Sequence, residues 1–75
     1  MAEGAINAKN KELIALAIGI TQHCSGCVGF HVKALRKLGC TREELEEMLT
    51  ICVYMGGGPA LMYSAEALKA WDTLA

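Results

Sequence analysis

The sequence predicts an all-α fold of roughly four helices. Three observations carry that expectation. Apolar residues recur at helical spacings of three and four over residues 13–20, 28–38, 45–53 and 61–71. Capping and stop residues fall between these stretches: Asn7, Ser25-Gly26, Gly39, Thr41 with Glu44, and Gly56-Gly57-Gly58-Pro59. No run shows the β-rich alternation of a half-buried strand.

The first helix is expected to begin near Asn7, a suitable N-cap. Beyond Glu12, apolar residues occupy nearly its whole circumference, which predicts a buried helix ending near Gln22 or His23. A short break at Ser25-Gly26 opens the second helix, with Val28, Phe30, Val32, Leu35 and Leu38 as packing residues and Gly39 as its C′ glycine. Thr41-Arg42-Glu43-Glu44 is a capping box, and Leu45, Met48, Leu49, Cys52 and Val53 follow at helical spacing. Glu43, Glu44, Glu46 and Glu47 suit the positive end of that helix. Gly56-Gly57-Gly58 ends it, and Pro59 suits the first turn of a fourth helix. There Leu61, Ala65 and Leu68 share one face, flanked by Tyr63, Ala67, Ala70 and Trp71.

The chain has 75 residues, which implies a single domain over residues 1–75. It is 53% hydrophobic and only 20% charged. So small a monomer has too little interior for that many apolar side chains, so a homo-oligomer is expected. Net charge is −1, and the one basic cluster, Lys33, Arg36 and Lys37, reads as a solvated helix end. Nucleic acid is therefore not an expected partner. Residues 13–32 and 48–65 lack Lys, Arg, Asp and Glu. Gln22, His23, Ser25, Gly26 and His31 interrupt the first stretch and the glycines and Pro59 the second, so both read as buried in protein and no membrane partner is expected. No signal-peptide pattern opens the chain, and four cysteines in that setting suggest the cytoplasm, where paired thiols are catalytic or metal-binding more often than structural.

Cys24-Ser25-Gly26-Cys27 with His31 is the chemical centre of the sequence. A thiol attacks only as thiolate, and a free cysteine has a pKa of about 8.5. A helix N-terminus, a neighbouring base and a second thiol all lower it, and residues 24–31 supply all three. His31 lies four residues after Cys27, on the same face, where imidazole can take the Cys27 proton. Cys24, at the frayed edge, is expected to be the more accessible thiol. Cys27 is thus the activated nucleophile and Cys24 the resolving thiol. Glu12 reads first as an exposed first-turn residue, with orientation of the imidazole as the alternative. His23 either sits over the sulfurs and tunes them or simply ends the first helix. Cys52 reads as core and Cys40 as partly exposed. Tyr63, Glu66 and Trp71 read as interface or core.

Zinc is the rival for the same residues, through Cys24, Cys27, His31 and Cys40 or His23. The spacing is unusual for such a site, and Cys40 lies 13 residues, about 20 Å of helical rise, beyond Cys27. No metal or cofactor is expected. The thioredoxin-like reading of the cysteine pair requires a preceding strand, and here a helix precedes it.

Four segments resemble the carboxymuconolactone decarboxylase-like superfamily, in its alkylhydroperoxidase D-like branch. They are Lys11-Glu12-Leu13-Ile14-Ala15-Leu16-Ala17, the Cys-x-x-Cys-x-x-x-His signature at 24–31, Gly39-Cys40-Thr41-Arg42-Glu43-Glu44, and Met55-Gly56-Gly57-Gly58-Pro59-Ala60. Together they span about residues 5–72. The family has an acidic residue twelve positions before the first cysteine, and Glu12 occupies that place. The resemblance implies a peroxidase in which Glu12 and His31, bridged by water, draw the proton from Cys27, Cys27 attacks a hydroperoxide and Cys24 closes the disulfide. It further implies a dithiol reductant of lipoyl or thioredoxin type and assembly as trimers or hexamers. Members usually carry an additional N-terminal helix, whereas this chain begins near the core helix. The competing expectation is a non-enzymatic helical oligomer whose cysteine pair senses redox state or holds a metal.

Overall fold

A computed structural model of the chain describes residues 1–74. Its elements are α1 (Ala8–Thr21), α2 (Ser25–Lys37) and α3 (Arg42–Thr73), with no strand among the described residues. The all-α expectation is met. Local chemistry explains each boundary. The Asn7 side chain accepts from the Asn10 N–H at 2.8 Å and opens α1. At the end of α2 the Cys40 N–H donates to the Leu35 carbonyl and the Gly39 N–H to that of Arg36, with Gly39 at φ 79. That is a Schellman stop, and only a residue tolerant of left-handed backbone suits it. The capping box at Thr41 and Glu44 closes in both directions.

The four expected helical segments are all present, the last two as arms of α3. A straight helix of 32 residues would reach about 48 Å, yet the longest dimension of the molecule is 33 Å. The Arg42 guanidinium also donates to the Asp72 carboxylate at 3.1 Å. The helix therefore folds back on itself. The reversal is at Gly57, whose φ 71 and ψ −151 lie in a region open essentially to glycine alone. Beside it, a Cβ on Gly56 would lie 2.7 Å from that of Ala60. Pro59 falls in the first turn of the returning arm, where a missing N–H costs nothing.

Leu16 and Ile20 of α1, Val32 and Leu35 of α2, and Leu45 of α3 are fully buried at the centre of the bundle. Each contributes about 1.5–3 kcal/mol through burial. Several faces differ from the sequence expectation. The break before α2 covers residues 22–24 rather than Ser25-Gly26, which are already helical. Helix α1 is buried on one side only, because Ile14 and Ile18 are exposed. Phe30 and Leu38 are exposed rather than packed. On the returning arm the buried stripe is Ala60, Ser64, Ala67 and Trp71, while Leu61 and Ala65 face outward. Small residues at 60, 64 and 67 let this arm approach its neighbours closely, so spacing of the larger side chains misidentifies its inner face. Cys40 is buried, and Cys52 is buried as expected.

Candidate functional site: a cysteine pair beside a glutamate–histidine contact

Cys24 and Cys27 are joined in a disulfide, with Cα atoms 5.3 Å apart. Their proximity follows from the start of α2. Cys24 is the N-cap, and its Sγ accepts from the Cys27 N–H at 3.3 Å, the bond a serine or threonine cap would make. The Cys27 and Val28 N–H groups also approach the Cys24 carbonyl. Cys27 is thus in the first turn, at the positive end of the helix dipole. Both cysteines are half-buried, so exposure does not separate them into an open and a covered thiol.

The opposing helix completes the arrangement. Glu12, Leu16, Gly19 and Ile20 form the buried stripe of α1. The Glu12 carboxylate lies 2.6 Å from Nδ1 of His31, a direct contact and not the water-bridged one that the resemblance implies. Glu12 is buried, contrary to its reading as an exposed first-turn residue. A carboxylate in that position requires a partner, and His31 supplies it. With Glu12 accepting, Nδ1 is the donor of this contact and Nε2 is the ring's remaining nitrogen. Two turns further along α1, Gly19 faces Cys27: a Cβ there would lie 3.0 Å from the Cys27 Cβ. Helices α1 and α2 thus run antiparallel, with Glu12 opposite His31 and Gly19 opposite Cys27. Sequence reasoning passed over Gly19, although an isolated glycine in an apolar helix is itself a sign of close packing.

His23 ends α1 in an unusual way. It adopts φ 60, with its N–H on the Ile20 carbonyl and the Cys24 N–H on that of Gly19. This is the same stop that closes α2, with histidine in the glycine position. Left-handed backbone costs a residue with a Cβ about 1–2 kcal/mol. The His23 ring stacks on Tyr63, with centroids 5.2 Å apart and planes 12° from parallel.

The other sequence candidates lie apart. Burial pushes the Cys40 and Cys52 thiols above the ordinary cysteine pKa, with the Glu44 charge adding to the effect at Cys40. Both are therefore poor nucleophiles. Cys40 closes α2 far from the dithiol, and no group of three or more His, Cys, Asp or Glu residues converges on a metal position among the described residues. Trp71 is buried beneath the Arg36 guanidinium, 4.7 Å from the ring centroid. Glu66 lines an open hollow of about 430 Å³ between α2 and the end of α3, together with Lys33 and Lys69. Neither cysteine, nor Glu12 or His31, borders that hollow. No helix among the described residues is long and apolar enough to cross a membrane.

The sequence profile of the carboxymuconolactone decarboxylase family matches residues 1–70. An uncharacterized protein of Cupriavidus necator is 43% identical over 72 residues, covering 96% of this chain and 64% of its own. The crystal structure of an apo carboxymuconolactone decarboxylase family protein from Legionella pneumophila superposes with a TM-score of 0.93 at 56% identity, covering 96% of this chain and 64% of that one. An alkyl hydroperoxide reductase AhpD of Mycobacteroides abscessus is 37% identical over 57 residues, 76% of this chain and 33% of its own. The chain thus spans just under two thirds of the first two of these relatives.

Proposed function

The chain belongs to the carboxymuconolactone decarboxylase family, and from that premise we propose that it is a thiol-dependent peroxidase of the alkylhydroperoxidase D-like kind. The observation that carries this reading is the contact between Glu12 and His31, one helical turn along α2 from Cys27 of the Cys24–Cys27 pair. A cysteine pair with a part-buried carboxylate–imidazole pair one helical turn away is equipped for attack on an O–O bond.

In the reduced protein His31, oriented by Glu12, takes the Cys27 proton. The Cys27 thiolate attacks the terminal peroxide oxygen and the O–O bond breaks. The sulfur keeps that oxygen as a sulfenic acid, and the alkoxide leaves and takes a proton to become an alcohol. The Cys24 thiol then displaces the sulfenic oxygen as water, forming the disulfide. An external dithiol, of lipoyl or thioredoxin type, attacks this disulfide, becomes oxidised itself and restores both thiols. The cytoplasm, a reducing compartment, is the proposed setting. We further assign the exposed Ile14, Ile18, Ile51, Tyr54, Leu61 and Met62 to contacts between copies in a trimer or hexamer.

The test is to reduce the protein, add cumene hydroperoxide and count thiols. Two are lost per chain in the parent and peroxide is consumed, whereas Cys27→Ser consumes none. If Cys27→Ser consumes peroxide as fast as the parent, the reading is wrong. If the parent loses two thiols once but no dithiol sustains turnover, the pair is a sensor instead.

A further inference from the structure

We infer that Tyr63 is a positioning residue for the dithiol, acting through His23. The sequence reads it first as interface or core. The chain must turn sharply between Thr21, the last residue of α1, and Cys24, the N-cap of α2. The turn is made at His23, in left-handed backbone that favours glycine. Its N–H bond to Ile20 and the Cys24 N–H bond to Gly19 fix the direction in which Cys24 leaves the turn. A histidine there needs something to hold it. The Tyr63 ring lies flat against the imidazole, 5.2 Å between centroids, and comes from the returning arm of α3, forty residues away. Tyr63 is half-buried while His23 is exposed, so the tyrosine is the fixed face and the histidine lies on it. The stack therefore ties the placement of Cys24 to the reversal of α3 at Gly57. Residues held in strained backbone beside reactive groups commonly owe their geometry to such outside support.

Placement of Cys24 sets how readily it closes on Cys27. Forming the disulfide takes two electrons and two protons from the thiols, which glutathione disulfide accepts in becoming two glutathiones. The equilibrium constant of that exchange reports the pre-alignment of the two sulfurs. Although the inference builds on the redox role proposed above, this equilibrium is measured without peroxide, so the two readings fail separately.

The experiment is a cycle of variants equilibrated in glutathione buffers, with the oxidised fraction read by thiol labelling. Tyr63→Phe keeps the stack and stays within about twofold of the parent, while Tyr63→Ala shifts the equilibrium about threefold to tenfold toward the dithiol, in the lower part of the range for directly coupled neighbours. In a His23→Gly background, where glycine adopts the turn unaided, Tyr63→Ala has no further effect on the equilibrium. A purely structural tyrosine would lower the melting temperature alike in both backgrounds and leave the exchange constant unchanged. The inference is overturned if Tyr63→Ala leaves that constant at the parent value, or shifts it equally with glycine at position 23.

Discussion

Glu12 and His31 are nineteen residues apart in sequence and 2.6 Å apart in space, with the carboxylate buried. The contact spans two helices and lies one turn from Cys27. The behaviour of the cysteine pair should therefore depend on a residue that touches neither sulfur in sequence.

Glu12→Gln retains a hydrogen-bonding side chain but removes the negative charge. The rate of hydroperoxide-driven disulfide formation is expected to fall about a hundredfold, the lower range for loss of general acid–base assistance. Far-ultraviolet circular dichroism should be unchanged. Stopped-flow measurement of thiol loss checks this, and an unaltered rate would remove Glu12 from the relay.

Cys24→Ser should fold as the parent does. Serine is a strong N-cap, and its hydroxyl can accept from the Cys27 N–H as the Cys24 sulfur does. This variant should accumulate a sulfenic acid at Cys27, trapped by dimedone and read by mass spectrometry. Trapping at Cys40 or Cys52 instead would contradict the raised pKa values that burial confers on those thiols.

Gly57→Ala tests the reversal of α3. A Cβ meets no crowding at this position, so the cost comes from the backbone conformation alone. The expected loss is about 1–3 kcal/mol, measured by urea unfolding. Gly58→Ala, at a position without positive φ, should lose far less.

Stability should decline in acid through two ion pairs that tie the helix ends together. The Lys9 ammonium on Glu44 holds that carboxyl below the ordinary range, and the Arg42 guanidinium does the same to Asp72. A depressed carboxylate pKa contributes stability above the free-chain value and loses it as pH falls through the folded value. The decline should therefore begin near the free-glutamate pKa of about 4.3 and continue below it. Both pairs are at the surface, so the effect is modest and screened by salt. Melting curves from pH 6 to 2 should show a smaller decline for the doubly substituted Glu44→Gln, Asp72→Asn protein.

Much of the local architecture is written in short segments. Asn7, Gly39 and the Thr41–Glu44 box act on backbone groups within four residues, so their spacing alone reveals where helices start and stop. The same holds for the cysteine pair, which the first turn of α2 draws together. Burial is different. Phe30 looks like a packing residue and is exposed, while Ser64 and Ala60 look indifferent and are buried. Which face of a helix turns inward depends on how near its neighbours can come, and small side chains can decide that against large ones.

By itself, the sequence determined the helical class, the stop at Gly39, the break at Gly56-Gly57-Gly58, the closeness of Cys24 to Cys27 and the shared face of Cys27 and His31. All of these follow from helical periodicity and from hydrogen bonds between near neighbours. Only the tertiary structure decided that Glu12 is buried against His31, that Gly19 leaves room for Cys27 and that Tyr63 lies on His23. Those relations join different helices. They depend on the antiparallel approach of α1 to α2 and on the direction in which α3 returns after Gly57, and neither is encoded in the spacing of any one segment.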